Sequence, residues 1–286
     1  MLKDLLSTLK INHYLKNAII IIPLFFSMNY ANINLLLKCI VMTVSFCLIS
    51  SAVYILNDLI DIEKDRIHPI KCNRAIASGK VPKKMALCLF ITLLIISLYT
   101  SFLINMCCMA MILFYLILNI LYSTYFKNIA IIDVACISLG FIFRIVAGCF
   151  AIDAIPSAFV ILMTFFCSMF FTFAKRKMEL QLLGQEKCRE SIKGFDVPGI
   201  NQFILVNAIL SISFYFTYTM DEVTISRAGT AYLYLTTVPF TLIVFRLLYL
   251  INFSSENDDP IIYMKDLTLK ILSVFYIFIF VLTYFL

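Results

Sequence analysis

The sequence is poor in charged residues and has no polar stretch long enough to form a separate soluble domain. Asp, Glu, Lys and Arg make up 14% of the 286 residues, whereas ordinary soluble domains contain about 25%. Hydrophobic residues account for 62% of the chain, and the mean hydropathy is +0.98. This composition excludes an ordinary soluble globular protein and predicts a polytopic membrane protein.

Four further absences narrow the class of protein. The apolar runs are continuous rather than alternating, which argues against a membrane β-barrel and favours helices that satisfy their own backbone hydrogen bonds. The ten cysteines include no pair with metal-site spacing, and most lie inside apolar runs, so neither a zinc site nor disulfides are predicted. The net charge of +6 comes from a few loops rather than a basic tail, so no nucleic-acid partner is expected. Nor does the amino-terminal segment carry a small-residue cleavage site, so we expect no cleavable signal.

Stretches of about 20 mainly apolar residues predict membrane-spanning helices. Nine such spans are predicted, at about 14–32, 36–57, 84–104, 106–123, 129–150, 156–175, 202–220, 230–251 and 268–286. The fold class is therefore all-α, in a single transmembrane helical domain over residues 1–286.

Basic residues are concentrated in alternate connections, which predicts the orientation of the chain. We expect the amino terminus and the connections at about 58–83, 124–128, 176–201 and 252–267 on the cytoplasmic side of the cell membrane. With nine spans, the carboxyl terminus would lie on the opposite side.

Three aspartates, Asp58, Asp61 and Asp65, follow the second predicted span. Their i, i+3, i+7 spacing would place them within an arc of about 60° on a helix. Stacked carboxylates repel each other and are tolerated when a divalent cation lies between them. The pattern therefore predicts a Mg²⁺ site. A solvated helix end with local ion pairs is the alternative.

Basic residues follow the aspartates before the next apolar run. They are Arg66, His68, Lys71 and Arg74. Acidic and then basic residues at a membrane edge suit a metal-bridged polyanion, because carboxylates bind Mg²⁺, Mg²⁺ binds phosphate oxygens, and Arg and Lys bind the remaining oxygens.

Other polar residues at predicted span ends have two interpretations each. Lys16 either binds a ligand or extends towards the interface. Tyr122 and Tyr125 either anchor the chain at the interface or flank a site at Lys127. Asp133 either complements a helix dipole or belongs to the site.

Arg144 lies inside a predicted span, about 16 Å deeper than Asp133 along the helix axis. A guanidinium there must face a partner or a wet cavity. Gly140 and Gly148, at i−4 and i+4, allow close helix contact on the same face. Arg144 therefore either locks helices together or lines a polar cavity.

A second charged cluster, Lys175, Arg176 and Glu179, follows the sixth predicted span. Arg176 and Glu179 can pair at i, i+3. The bases either only set topology or form a second motif facing the aspartates. The polar stretch 184–200 is either a lid or a plain connector.

The segment Asn57-Asp58-x-x-Asp61-x-x-x-Asp65, within nine predicted spans, resembles the UbiA superfamily of intramembrane prenyltransferases. The longer pattern from Tyr54 to Pro82 is similar to the decaprenyl-phosphate phosphoribosyltransferase group of that superfamily. Shorter matches occur in the same order, at Lys16-Asn17, Tyr122-Ser123, Lys127 with Asp133, Gly140 to Gly148, and Lys175 to Leu180.

The resemblance implies nine helices around a central cavity and a Mg²⁺-dependent transfer of a 5-phosphoribosyl group from phosphoribosyl pyrophosphate to a polyprenyl phosphate. It implies that Asp58, Asp61 and Asp65 act as the catalytic and metal-binding residues. The implied substrate-binding residues are Lys16, Asn57, Arg66, His68, Lys71, Arg74, Tyr122, Tyr125, Lys127, Arg144, Lys175, Arg176 and Glu179. Aromatic prenyltransferases of the superfamily carry a second Asp-rich motif where this chain has Lys175, Arg176 and Glu179, and a basic motif suits a bare phosphate on the donor.

Two alternatives remain at this stage. The chain could transfer a prenyl group from its diphosphate to an aromatic or lipid acceptor, or it could be a non-enzymatic carrier of phosphorylated lipids. The lipid bilayer is an expected partner in each case, and a homo-oligomer is compatible with the scattered small residues.

Overall fold

The computed structural model describes residues 2–27, 31–67, 71–253, 263 and 265–283. Within these residues the regular structure consists of helices, without a strand. The all-α prediction is therefore confirmed.

Twelve α-helices are present in the described residues. They are α1 (Leu2–Thr8), α2 (Ile22–Phe26), α3 (Ile33–Ile60), α4 (Ile62–Ile67), α5 (Lys83–Phe102), α6 (Met106–Thr124), α7 (Ile132–Ala151), α8 (Ala158–Lys187), α9 (Val197–Met220), α10 (Glu222–Ala228), α11 (Thr237–Phe253) and α12 (Leu267–Leu282). Short 3₁₀ helices cover Ile11–Ile21, Lys71–Asn73, Phe126–Asn128, Glu190–Ile192 and Tyr232–Thr236.

Seven helical segments in the described part of the chain are long and apolar enough to cross a membrane. Two shorter apolar segments, Ile11–Phe26 and Leu267–Leu282, coincide with the first and last predicted spans. The molecule is thus a multi-pass membrane protein, as the composition predicts.

The first predicted span differs from the expected continuous α-helix. Residues Ile11–Ile21 form a 3₁₀ helix, and α2 begins only at Ile22. Pro23 lies in the first turn of α2. Proline lacks an N–H and its ring collides with the carbonyl four residues earlier, so one α-helix cannot continue undistorted through this point.

The chain forms two compact units. Unit 1 contains residues 1–124 and 143–155, and unit 2 contains residues 125–142 and 156–286. Helix α7 contributes its first part to unit 2 and its second part to unit 1. The single domain, its cytoplasmic connections and the central cavity stay predictions.

In unit 1, α3 packs against α5, α6 and the 3₁₀ helix Ile11–Ile21. Small polar residues allow α3 and α5 to approach closely. Ser97 donates a hydrogen bond to the carbonyl of Ser45 at 2.8 Å, and the hydroxyls of Ser45 and Thr100 are 2.7 Å apart. Phe46, with Ile49 one turn further along α3, is fully buried in the core of this unit.

In unit 2, α8 packs along α9, and α11 packs against α9 and α12. Stacked aromatic pairs join α8 to α9, with ring centroids 5.1 Å apart for Phe173–Phe203 and 5.4 Å apart for Phe166–Phe214. The carboxylate of Asp196 accepts a hydrogen bond from the Gly199 amide at 2.8 Å and caps the start of α9.

Helix α8 continues to Lys187, twelve residues beyond the end predicted for the sixth span. Its interior contains one residue with non-helical backbone angles, Gly184, whose φ is 71°. Glycine occupies this region at little cost. All ten cysteines are free, which confirms that they form no disulfide framework.

Candidate functional site

The three aspartates do not lie on one uninterrupted helix, so that expectation is wrong. Helix α3 ends at Ile60, Asp61 has φ −91° and ψ 10°, and α4 begins at Ile62. The helical spacing nevertheless crosses the junction, because the amide of Asp61 donates to the carbonyl of Asn57 at 2.9 Å and the amide of Asp65 donates to the carbonyl of Asp61 at 2.8 Å.

Asp58 and Asp65 are both buried and share one cationic partner. The Nη1 atom of Arg74 is 3.1 Å from Oδ1 of Asp58 and 2.8 Å from Oδ2 of Asp65. The Arg74 side chain is 35% exposed, whereas the Asp58 side chain is only 6% exposed. Two carboxylates from successive helices therefore converge on one positively charged group in unit 1.

Lys10 is a second cation at this position, and it was not among the residues predicted from the sequence. Its Nζ atom is 3.0 Å from Oδ1 of Asp58 and 4.8 Å from the centroid of the Tyr54 ring. We call Asp58, Asp61, Asp65, Arg74 and Lys10 the aspartate cluster. A separation of 48 residues between Lys10 and Asp58 leaves no local sequence signal for their contact.

The other predicted residues of this segment lie around the cluster. Asp61 is partly buried, and Lys71 is exposed in its 3₁₀ turn. Arg66 donates from Nε to the carbonyl of Ala77 at 3.3 Å and pairs with Glu63 at 3.4 Å. His68 lies outside the described residues.

Three further predicted residues belong to unit 1. Asn57 accepts a hydrogen bond from the hydroxyl of Ser123 at 2.6 Å, which joins α3 to the end of α6. Tyr122 is partly buried beside Ser123, and Lys16 is exposed on the 3₁₀ helix. Asn57 is therefore held next to Asp58, while the structure leaves both interpretations of Lys16 and Tyr122 open.

The donor chemistry of the aspartate cluster fits Mg²⁺, which prefers carboxylate oxygens. Two carboxylates approach the same Arg74 nitrogen to about 3 Å, so a guanidinium stands where a metal cation could lie. Among the described residues, no three His, Cys, Asp or Glu side chains are already arranged to hold a metal. A metal ion bound between Asp58 and Asp65 at this position would take the place of the Arg74 guanidinium.

The second charged cluster lies in unit 2 and is built around Asp133, in the first turn of α7. Arg176 donates two hydrogen bonds to it, from Nε at 2.8 Å and from Nη2 at 3.1 Å. Ser191 donates to the same carboxylate at 3.0 Å. We call Asp133, Arg176, Glu179, Arg189 and Ser191 the Asp133 cluster. The buried side chain of Arg176 serves as the ionic partner of Asp133.

Glu179 connects the Asp133 cluster to the polar stretch after α8. The Nε atom of Arg189 lies 3.0 Å from both carboxylate oxygens of Glu179. The predicted Arg176–Glu179 pair is present at 3.5 Å. Arg189 and Ser191 therefore tie residues of the 184–200 stretch to the body of unit 2.

The basic residues near this cluster have different surroundings. Lys175 is exposed, whereas Lys177 is buried and donates to the carbonyl of Ile251 at 3.1 Å and to Asn252 at 2.7 Å. Outside the spans, Lys193 donates to Glu190 at 2.6 Å, and this hydrogen bond raises the pKa of the Lys193 ammonium. Of the 124–128 connection, Tyr125 is exposed and Lys127 is partly buried.

Arg144 occupies the interior of unit 1, where it contacts three other segments. Its Nε atom donates to Asn17 at 2.7 Å, and Nη2 donates to Tyr115 at 3.1 Å and to Ser50 at 3.4 Å. Gly148, one turn later, leaves room for the backbone of Ile20, whose carbonyl oxygen would collide with a Cβ at this position. These contacts favour the interpretation of Arg144 as a lock between helices.

Comparison with known proteins places this geometry in a family context. The model of the UbiA prenyltransferase family matches residues 19–270. The chain is 30% identical over 237 residues to decaprenyl-phosphate phosphoribosyltransferase of Mycolicibacterium smegmatis, covering 80% of this chain and 74% of the relative. It is 28% identical to the enzyme of the same name from Corynebacterium glutamicum, covering 82% and 72% of the two chains.

Solved structures show the same fold at lower identity. A structure of digeranylgeranylglyceryl phosphate synthase superimposes with a TM-score of 0.72 at 19% identity, covering 99% of this chain and 98% of the other. A UbiA homolog from Archaeoglobus fulgidus bound to GPP and Mg²⁺ superimposes with a TM-score of 0.63 at 17% identity, covering 95% and 100% of the two chains.

Proposed function

Because the chain belongs to the UbiA prenyltransferase family, we propose that it is a membrane transferase of the phosphoribosyl class. It transfers the 5-phosphoribosyl group of phosphoribosyl pyrophosphate to a polyprenyl phosphate and releases pyrophosphate. The observation that carries the proposal is the pair of buried carboxylates, Asp58 and Asp65, that share the partly exposed Arg74 guanidinium. The names of the relatives from two organisms support the choice of donor and acceptor.

Asp58 and Asp65, with Asp61 in the turn between their helices, are the proposed Mg²⁺ ligands. Mg²⁺ bound there supplies charge neutralisation for the leaving pyrophosphate. Arg74 leaves the carboxylates and binds a non-bridging oxygen of the donor, which Arg66 and Lys71 also approach from the same segment. A guanidinium suits this exchange, because carboxylate and phosphate oxygens present similar acceptor geometries to it.

The reaction breaks the bond between C1 of ribose and the pyrophosphate oxygen and forms a bond between C1 and an oxygen of the polyprenyl phosphate. A phosphate monoester has a second pKa of about 6, so the nucleophile is already ionised at neutral pH and needs no general base. The protein contributes positioning and electrostatic stabilisation, which are sufficient for large rate enhancements.

Lys175 is the residue of the second charged segment that we propose to attract the anionic donor. It is exposed, whereas the neighbouring Arg176 is bound to the buried Asp133. The donor is a water-soluble polyanion, so the site opens to the cytoplasmic side, where the basic connections and the amino terminus lie.

A prenyl transfer is the second candidate, and the name of the family favours it as a class. In that reaction the aspartate cluster would bind a prenyl diphosphate instead of phosphoribosyl pyrophosphate. The UbiA homolog from Archaeoglobus fulgidus was solved with GPP and Mg²⁺, so the fold accommodates this chemistry.

One assay separates the two candidates. The purified protein, reconstituted in lipid nanodiscs, receives ribose-labelled phosphoribosyl pyrophosphate, a polyprenyl phosphate and Mg²⁺. We expect label in the lipid fraction, one pyrophosphate released per labelled lipid, and no transfer after addition of EDTA. Asp58→Asn should be inactive, while Asp153→Asn, which removes another aspartate paired with a lysine in unit 1, should remain active. Label that stays water-soluble, with prenylated product formed from a prenyl diphosphate, would replace the first candidate with the second.

A further inference from the structure

Lys10 reaches the aspartate cluster from the segment between α1 and the 3₁₀ helix Ile11–Ile21. Its ammonium group lies against Asp58, and its side chain is 22% exposed. Asp58 therefore has two cationic partners in unit 1, because Arg74 contacts the same oxygen.

The backbone around Lys10 is fixed by contacts that aim the side chain at Asp58. Lys10 itself adopts a left-handed conformation, with φ 50° and ψ 49°, which costs free energy for any residue with a Cβ. The hydroxyl of Ser51 donates to the carbonyl of Leu9 at 2.8 Å and lies 2.7 Å from the hydroxyl of Tyr14. These contacts hold the chain on both sides of Lys10 against α3.

Ser51 and Asp58 are seven residues apart on α3, so they lie on the same face, about 10 Å apart along the axis. The carbonyl of Leu9 is held at Ser51, and from the next residue the Lys10 side chain reaches Oδ1 of Asp58 further along the same face of α3. The two backbone anchors, at Leu9 and Tyr14, therefore keep Lys10 within reach of Asp58.

A buried carboxylate needs a compensating charge whenever no metal is bound. A lysine suits a replaceable partner, because its compact ammonium on a flexible stem makes a single contact and can turn to another acceptor nearby. Lys10 makes one ionic contact, with Asp58, beside its contact with the Tyr54 ring, and keeps part of its side chain in solvent.

We propose that Lys10 compensates Asp58 in the metal-free protein and binds the diphosphate of the donor once a metal ion occupies the carboxylates. The proposal rests on the metal role of Asp58 in the proposed function. It adds a substrate-binding residue outside the segment from Asn57 to Arg74. It also predicts two opposite effects of removing the Lys10 charge: metal binding becomes tighter, and donor binding becomes weaker.

The test uses Mn²⁺ as the metal probe, with free Mn²⁺ measured by electron paramagnetic resonance on the full chain in nanodiscs. The Mn²⁺ that the wild-type protein binds and the Asp58→Asn variant does not bind is assigned to the aspartate cluster. Lys10→Met should bind this Mn²⁺ about fivefold more tightly, as expected for removal of a partly exposed ionic competitor. Lys10→Arg, which keeps the charge, should stay near the wild-type affinity. Lys38→Met is the matched control, since Lys38 pairs with Asp153 at 3.1 Å elsewhere in unit 1.

The same variants are then assayed with phosphoribosyl pyrophosphate. Lys10→Met should raise the KM for this donor several-fold with kcat less affected. Equal or weaker Mn²⁺ binding in Lys10→Met, or no Mn²⁺ binding that depends on Asp58, would overturn the proposal, and an unchanged KM would overturn its donor-binding half. Tighter Mn²⁺ binding without any phosphoribosyl transfer would instead refute the proposed function while leaving the competition between Lys10 and the metal intact.

Discussion

The aspartate cluster of unit 1 and the Asp133 cluster of unit 2 use the same residue types in different ways. Arg176 donates two hydrogen bonds to one carboxylate, and both side chains are buried, with Arg176 only 3% exposed. Arg74 places a single nitrogen between two carboxylates and remains 35% exposed. A bidentate buried pair suits a fixed structural element, whereas Arg74 and Lys10 are partly exposed and are the cations that we propose to be exchanged for a metal and substrate.

The largest expected effect comes from removing a carboxylate of the aspartate cluster. Asp58→Asn keeps the shape of the side chain but removes the charge that Mg²⁺ requires, so turnover should fall by about 1,000-fold or more, the scale of losing a key electrostatic contact in a transition state. Initial rates of lipid labelling measure the loss. Asp58→Asn should unfold at nearly the wild-type temperature, because Lys10 and Arg74 can turn to water; a variant that transfers phosphoribose normally would remove Asp58 from the site.

The next largest effect is expected for the Asp133 cluster, where a substitution should lower the folding stability of the protein. Arg176→Ala leaves the buried Asp133 charge without its bidentate partner, which should cost about 3 kcal/mol or more of folding stability. Thermal unfolding in detergent, followed by circular dichroism, measures it. Lys175→Ala, one residue earlier and exposed, is the control and should not change the unfolding temperature. Equal temperatures for both variants would contradict the structural role of Arg176.

A third prediction tests the close packing around the buried Arg144 in unit 1, as a contrast to the partly exposed cations of the aspartate cluster. Gly148→Ala places a methyl group against the Ile20 carbonyl and should destabilise the protein by about 1–3 kcal/mol, as overpacking does. Gly194→Ala is the matched control, since nothing lies within 4 Å of its added Cβ. If thermal unfolding of Gly148→Ala equals that of the control, the close contact beside Arg144 is not important for stability.

The smallest effect belongs to Lys175. Because its side chain is exposed, Lys175→Ala should raise the KM for phosphoribosyl pyrophosphate by roughly twofold to fivefold, the range for one solvent-exposed charged contact. Steady-state kinetics at saturating polyprenyl phosphate would show the change. An unaltered KM would detach Lys175 from donor binding and leave the aspartate cluster as the donor site.

The sequence is sufficient to predict the spans, because hydropathy over some 20 residues depends on composition and not on packing. It also identifies Asp58, Asp65 and Arg74, which lie within one short segment. Lys10 could not be predicted in the same way, since its contact depends on a left-handed turn at a residue that is not glycine. The Asp133–Arg176 pair joins residues 43 positions apart, and only the fold brings them together.

The helix junction at Asp61 shows a similar limit. A regular i, i+3, i+7 pattern predicts one continuous helix, yet α3 ends at Ile60 and α4 begins at Ile62. The pattern still predicts that Asp58 and Asp65 come together, because the hydrogen bonds across the junction preserve the helical spacing. In the first predicted span, hydropathy alone does not reveal that the helix is interrupted, whereas Pro23 indicates the break.

An experimental structure with phosphoribosyl pyrophosphate and Mg²⁺ bound would test the central claim most directly. The account predicts metal density at Asp58 and Asp65, with Arg74 moved from these carboxylates to the donor and the Asp133–Arg176 pair unchanged. A donor-bound structure in which the Arg74 guanidinium still bridges Asp58 and Asp65, without a metal at either carboxylate, would contradict it.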